Sequence, residues 1–212
     1  ALHIAAEEGL DDVAKVLIQN GVDVNAVDND KLMALHFAAW KGHDDVVKLL
    51  IQNGADVNAV DINNWSTLHY AARHGHVDVA KVLIQNGADV NAVAVNKWTA
   101  LDFTGWIGYV DVAKVLIQNG VDVNAVHKDK RTALHFAAGS GRVDFMKVLI
   151  QNGADVNAVT KAKGTALHLA SKYKRIRCTL HLFCVGAEID ENAIKEDKTK
   201  FLEPIENALM LL

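Results

Sequence analysis

The chain has 212 residues, half of them apolar, with a formal net charge of −4 and two cysteines. No apolar run approaches the roughly 20 residues of a membrane-spanning helix, and no signal-peptide pattern opens the chain. The acidic balance argues against a nucleic-acid binder as a whole, and two cysteines without a disulfide framework fit a reducing, cytosol-like setting.

The chain begins at Ala1-Leu2-His3, inside a structural unit and without an initiator Met, as a trimmed chain would. Glu7, Glu8, Asp11 and Asp12 give this opening a wettable face, so residues 1–27 read as an N-terminal capping half-unit. Within it starts the run that organises everything after it, Asp12-Val-Ala-Lys-Val-Leu-Ile-Gln-Asn-Gly21. The run recurs unchanged at Asp78–Gly87 and Asp111–Gly120, and slightly edited at Asp45–Gly54 and Asp144–Gly153. Asp-Val-Asn-Ala-Val follows each copy, starting at Asp23, Asp56, Asp89, Asp122 and Asp155, a spacing of 33 residues. So strict a period means one supersecondary unit repeated along an axis. Full repeats occupy 28–60, 61–93, 94–126 and 127–159. A divergent repeat at 160–192 drifts into Arg175-Ile-Arg-Cys-Thr-Leu-His-Leu-Phe183. Residues 193–212 hold the only proline, Pro204, and read as a C-terminal cap with a helix start or kink there.

Each repeat explains its own local structure. Val79, Val82, Leu83 and Ile84 fall at helical spacing, with Lys81 and Gln85 on the wet side. Asp78 lies in the first turn, where a carboxylate favours the positive helix end. Gly87 sits just past the last turn, where a left-handed residue is wanted. Upstream lies a shorter helix, cleanest in Thr132-Ala-Leu-His-Phe-Ala-Ala138, whose Thr suits an N-cap and whose alanines admit close approach. One such helix pair cannot bury its apolar face; a stack of them can.

Thr-Ala-Leu-His-Phe-Ala-Ala, Gly141, the Val-Leu-Ile helix and Gly-Ala-Asp-Val-Asn together resemble the ankyrin repeat, across essentially the whole chain. The resemblance implies a mainly α solenoid of stacked helix–turn–helix units with projecting β-hairpin-like loops, capped at both ends. It also implies binding of other proteins through loop tips and first helices. The sequence departs from the family in two places. Ala34, Thr67, Ala100, Ala133 and Ala166 replace its Pro after the Thr. Lys31, Asn64, Lys97, Lys130 and Lys163 replace its loop Gly, where a positive φ would strain the lysines. The repeat at 94–126 is the irregular one, with Asp102 in the His place and Thr104-Gly105 for Ala-Ala. An interior helix Gly costs about 1 kcal/mol relative to Ala, so this first helix is expected to be the least protected in hydrogen exchange.

Against a near-constant frame, a few places vary freely. In the loop tips these are Asn29, Asp30, Leu32; Ile62, Asn63, Trp65; Val95, Asn96, Trp98; and Lys128, Asp129, Arg131. Late in the first helices they are Trp40, Lys41; Arg73, His74; Trp106, Ile107; Gly139, Ser140; and Lys172, Tyr173. After the following Gly come His43, His76, Tyr109, Arg142 and Arg175. All four tryptophans lie in these places, and exposed Trp, Tyr and Arg favour the centre of an interface. The predicted partner-binding set is Leu32, Trp40, Lys41, Ile62, Trp65, Arg73, His74, Val95, Trp98, Trp106, Ile107, Tyr109, Lys128, Arg131, Arg142 and Tyr173. The opposing reading packs these aromatics within the stack, Trp65 against Trp98. The first half of the set is apolar and the second basic, so the expected partner is a protein with an apolar patch beside an acidic one, bound by a monomer. A constant frame with diversified contact places is similar to a consensus-framework library of designed ankyrin binders; a natural bacterial-type array from recent duplication is the alternative.

No constellation rises to an enzyme. His3, His36, His69, His135 and His168 recur in the frame and read as structural hydrogen-bonders beside Thr132 and Thr165. His43, His74 and His76 invite a metal reading, but equivalent places in stacked repeats lie about 8–10 Å apart, too far for shared ligation. Gly139-Ser-Gly141 lacks the strand, Lys and Ser/Thr of a phosphate loop. Ser66, Ser140 and Ser171 carry no nucleophile signature, and no cofactor is expected. Lys172–Arg177 with Tyr173 supports a nucleic-acid reading less well than a solvated terminal face. Cys178 and Cys184 fall on different faces of one helix and cannot easily bridge.

Overall fold

The apolar spacing of every repeat folds into helix pairs. In the computed structural model, which describes residues 1–188, twelve helices form among the described residues. They are α1 (Leu2–Glu7), α2 (Asp11–Gln19), α3 (Ala34–Lys41), α4 (Asp44–Gln52), α5 (Thr67–His74), α6 (Val77–Gln85), α7 (Ala100–Ile107), α8 (Val110–Gln118), α9 (Ala133–Ser140), α10 (Val143–Gln151), α11 (Ala166–Lys172) and α12 (Ile176–Cys184). The expected cap at 193–212, with Pro204, lies outside the described residues. No described helix is long and apolar enough to cross a membrane.

The chain divides into two compact units, Ala1–Ala100 with Asp111–Val121 and Leu101–Val110 with Asp122–Leu212. In the first unit α1, α3 and α5 pack side by side, and α2, α4 and α6 form a second layer. In the second, α9 lies on α11 and α10 on α12. Alanines line the contacts between first helices: Ala38, Ala39, Ala71 and Ala72 in one unit and Ala137 and Ala138 in the other are fully buried.

Frame histidines hold the start of their own first helix, and His36 and His69 also tie it to the loop that follows. His36 Nδ1 accepts from the Met33 N–H (3.1 Å), and its Nε2–H donates to the Ala59 carbonyl (3.1 Å). His69 repeats the pattern with the Ser66 N–H (3.1 Å) and the Trp98 carbonyl (3.2 Å). The Thr132 and Thr165 hydroxyls donate to Nδ1 of His135 and His168 at 2.9 and 2.7 Å. This network requires a neutral ring, and burial agrees: it lowers the pKa of His36 and pushes His69 and His135 down to about 4.

The invariant Asn of Asp-Val-Asn is a second lock. Asn58 Nδ2 donates to the Gly87 carbonyl (3.0 Å) while its Oδ1 accepts from the Asp89 N–H (2.9 Å). Asn25 and Asn124 bridge their following repeats in the same way.

Loop tips are closed turns, as their hairpin-like sequences suggest, with antiparallel bridges at Val60–Ser66 and Val93–Thr99. Lys31, Asn64, Lys97, Lys130 and Lys163 all adopt a φ between 57° and 64°, so the lysines carry the strain expected of them. What holds each turn is an acceptor at its first residue. Asp28 Oδ1 accepts from the Asp30 and Leu32 N–H groups, and Asp61 Oδ1 from Asn63 and Trp65. Thr160 serves through its hydroxyl and His127 through Nδ1. Ala94 has no such group, and only its turn has two successive left-handed residues, Asn96 and Lys97.

Gly105 is a packing device: a Cβ there would stand 3.1 Å from both the Phe145 ring and the Ala133 carbonyl. Phe145 fills a place held by Val79 and Val112 in other repeats, and Gly105 makes room for it. In the N-terminal half-unit apolar residues stand exposed beside the carboxylates. Ile4, Leu10, Val13 and Val16 are exposed, and Val13 stands 48% exposed where its counterpart Val46 stands at 1%.

Candidate functional site

In the first unit the variable places converge on an aromatic ladder. Late-helix Trp40 lies 6.5 Å from Phe37 and 6.3 Å from Tyr70, and Trp65 of the next loop lies 5.3 Å from Tyr70, between ring centroids. Cations edge the ladder: the Arg73 guanidinium sits 5.1 Å from the Trp65 ring and Lys41 Nζ 5.0 Å from Trp40. His74 lies 6.0 Å from Trp40. Tyr70 is tied from below, its hydroxyl donating to Asp61 Oδ2 at 2.8 Å, and burial with that carboxylate pushes its pKa up. Asp61 thus holds both a loop turn and the ring on which the two tryptophans converge.

The loop tips form a neighbouring rail. The Ile62 N–H donates to the Asp30 carbonyl and the Val95 N–H to the Asn63 carbonyl, each at 3.0 Å. Ile62 and Val95 are exposed, and Leu32, Trp65 and Trp98 half-buried.

The second unit makes a different surface from the same places. Trp106 is 52% exposed and Tyr173 50%, and the repeat between theirs carries only Gly139 and Ser140 at the corresponding places. A cavity of about 440 Å³ opens there, lined by Trp106, Arg131, Phe136, Gly139, Ser140, Arg142, Leu169, Tyr173 and Arg175, with His135 at its base. The Arg131 guanidinium lies 6.0 Å from the Phe136 ring. Lys128 and Tyr109 are exposed and Ile107 half-buried.

Most of the places after a helix-ending Gly reach back over the preceding repeat. His43 and His76 donate from Nε2 to the Glu7 and Trp40 carbonyls of the preceding repeat, at 3.0 and 2.9 Å. Arg175 Nε does the same to Gly139 at 3.0 Å. Each strap lies over the preceding turn: a Cβ on Gly42, whose φ is +85°, would stand 2.5 Å from His76. Arg142 crosses Gly108 in the same manner. With His74 Nδ1 donating to the Tyr70 carbonyl (3.0 Å), the histidines of the metal reading are engaged with backbone. No group of three or more metal-ligating residues forms among the described residues.

The family of ankyrin repeats, described as three copies, matches residues 2–94, 59–126 and 104–193. The chain belongs to the ankyrin-repeat family. Comparison with curated proteins returned no match. As an ankyrin-repeat chain it carries a protein–protein interaction scaffold, and its first helices and loops display the variable residues.

None of the predicted contact residues is buried, and Trp65 has Tyr70 as a ring partner. Sequence reasoning missed Phe37, Tyr70, Phe136 and Leu169, on which the variable residues sit. The signal was there: one first-helix place reads Ile4, Phe37, Tyr70, Phe103, Phe136 and Leu169, always large and apolar and among the described repeats often only half-buried.

Proposed function

We propose that this ankyrin-repeat chain is a monomeric binder of another protein, acting by occupying a surface rather than by chemistry. The observation that carries this reading is the ladder of Trp40, Tyr70 and Trp65 with Arg73 and Lys41 at its edges. Accessible indoles backed by a held Tyr and rimmed by cations make a pre-organised anchor with little ordering cost on binding. The partner offers an apolar patch to the first unit's ladder and an acidic one to the arginines of the second, which mainly set association rate and salt response. Two thiols without a disulfide, Cys178 buried and Cys184 exposed, fit action in a reducing, cytosol-like compartment.

The nearly constant frame with freely varied contact places favours an engineered binder over a natural adaptor. Codon usage tests this point: independently drifted synonymous codons among the identical runs would mark a natural array. For binding itself, affinity capture with mass spectrometry is run beside Trp40→Ala plus Trp65→Ala. The double variant is expected to lose the captured partner, while Lys81→Ala on a second helix retains it. Equal capture by both variants would refute the reading.

A further inference from the structure

The cavity of the second unit exists because of a size profile along one row of places. Late in successive first helices stand Trp40, Arg73, Trp106, Gly139 and Lys172, followed by Lys41, His74, Ile107, Ser140 and Tyr173. Only the repeat at 127–159 is small at both. Its neighbours Trp106 and Tyr173 are large, so the α9 surface becomes a notch with aromatic side walls and an apolar floor of Phe136 and Leu169. Gly139 is a helical residue, and a Cβ on it would meet only the Tyr173 ring, at 3.6 and 3.7 Å, which is ordinary contact. The helix therefore does not need a glycine at this place; its absence of a side chain is what leaves the space.

The lining is of one charge sign. Arg131, Arg142 and Arg175 reach the cavity and no Asp or Glu does. None of the three arginines takes part in an ion pair among the described residues. Arg175 is anchored by its Nε–H on the Gly139 carbonyl (3.0 Å), and its terminal nitrogens take no part in that bond. A planar guanidinium suits a carboxylate or phosphate, and an aromatic wall suits a ring.

We infer that the notch over Gly139 receives an aromatic side chain of the partner protein that is directly flanked by carboxylates. The inference rests on the protein-binding reading and names the chemistry of the partner residue that seats in the second unit. The ring fills the space between Trp106 and Tyr173, over Phe136, and the anion meets Arg131 and Arg142 at the rim. The occupant is a Phe or Tyr set among Asp and Glu residues, and a phosphotyrosine is the competing occupant that the test must exclude.

Fluorescence anisotropy on the full chain separates them with labelled probes: acetyl-Glu-Glu-Phe-Glu-Glu, its alanine-centred and phosphotyrosine-centred forms, Lys-Lys-Phe-Lys-Lys, and a thymidine oligonucleotide. The acidic phenylalanine peptide is expected to bind about tenfold or more tighter than the alanine-centred and lysine peptides. A phosphotyrosine-centred peptide that binds tighter than the phenylalanine one overturns the assignment to a carboxylate-flanked ring. Gly139→Leu should abolish the preference for a ring while leaving the thermal melt unchanged or higher, since it replaces an interior helix glycine. Arg131→Gln, at a loop tip, should weaken both anionic peptides. Equal binding of the alanine-centred peptide, or indifference to Gly139→Leu, overturns the inference. So does an oligonucleotide that binds tighter than every peptide and ignores Gly139→Leu. Partner capture through Trp40 and Trp65 that survives Gly139→Leu would leave the protein-binding reading standing without this one.

Discussion

Trp40 and Gly139 occupy the same place in repeats three periods apart, and they make opposite surfaces. In the first unit Trp40 leans on Tyr70, Tyr70 on Trp65, and Arg73 covers Trp65, so the row is filled by its own side chains. In the second, Gly139 leaves an opening between Trp106 and Tyr173 rimmed by arginines. The cores differ in the same spirit. Where the first unit has Ala72 and Val112, the second has Gly105 and Phe145 at the corresponding places, a small-for-large exchange that the frame accommodates. Backbone geometry is common to both; one or two side chains per repeat decide whether a surface is filled or open.

The widest expected difference comes from the second unit's enlarged core residue. Phe145→Ala should lower stability by about 3–5 kcal/mol, more than Val112→Ala at about 1.5–3 kcal/mol, by urea denaturation. Equal losses would mean that Phe145 carries no more packing than a valine.

Acid should act on both units through the frame histidines. His69 and His135 are held neutral, their pKa pushed from 6.5 to about 4, whereas the unfolded chain protonates near 6.5. The stability that depends on their neutrality is therefore complete above about pH 6.5 and is lost as the pH falls toward 4, on the order of 2–3 kcal/mol per ring. Urea midpoints measured across that range should decline, and His69→Gln should flatten the decline while lowering stability at pH 7. A midpoint independent of pH between 7 and 4.5 would contradict the neutral-ring network.

Smaller effects sharpen the core comparison. Gly105→Ala alone should not deliver the helix gain of about 1 kcal/mol, because its Cβ meets Phe145 and the Ala133 carbonyl. Paired with Phe145→Val the steric part should vanish, giving a coupling of about 1 kcal/mol in a double-mutant cycle. Strict additivity would break the small-for-large account. Least of all, Lys31→Asn and Lys130→Asn should each stabilise by about 0.5–1 kcal/mol by relieving a left-handed lysine, and Ala94→Asp by a similar amount through the missing turn acceptor.

Features set within a few residues were readable in advance. The helix pairs, the glycine ends and the positive-φ lysines followed from spacing and from what each backbone conformation tolerates. The exposure of Val13 was not readable, because Glu7 and Asp12 say nothing of whether it finds a neighbour. His43, His76 and Arg175 stood out only as variable places, and their role as straps was not legible. Their hydrogen-bond partners lie 36 residues earlier, on carbonyls that no local pattern ties to them. Ala94 gave a signal that only comparison with Asp28, Asp61, His127 and Thr160 makes visible.

By itself the sequence determined the period, the helix pair within it and the residues free to vary, since helical spacing, capping and internal repetition are properties of adjacent residues. Tertiary structure alone decided which of those residues become straps between repeats, which rest on Phe37, Tyr70, Phe136 or Leu169, and where a missing side chain opens a cavity. Each of those outcomes depends on distances between side chains one repeat apart, and such distances exist only once the repeats are stacked.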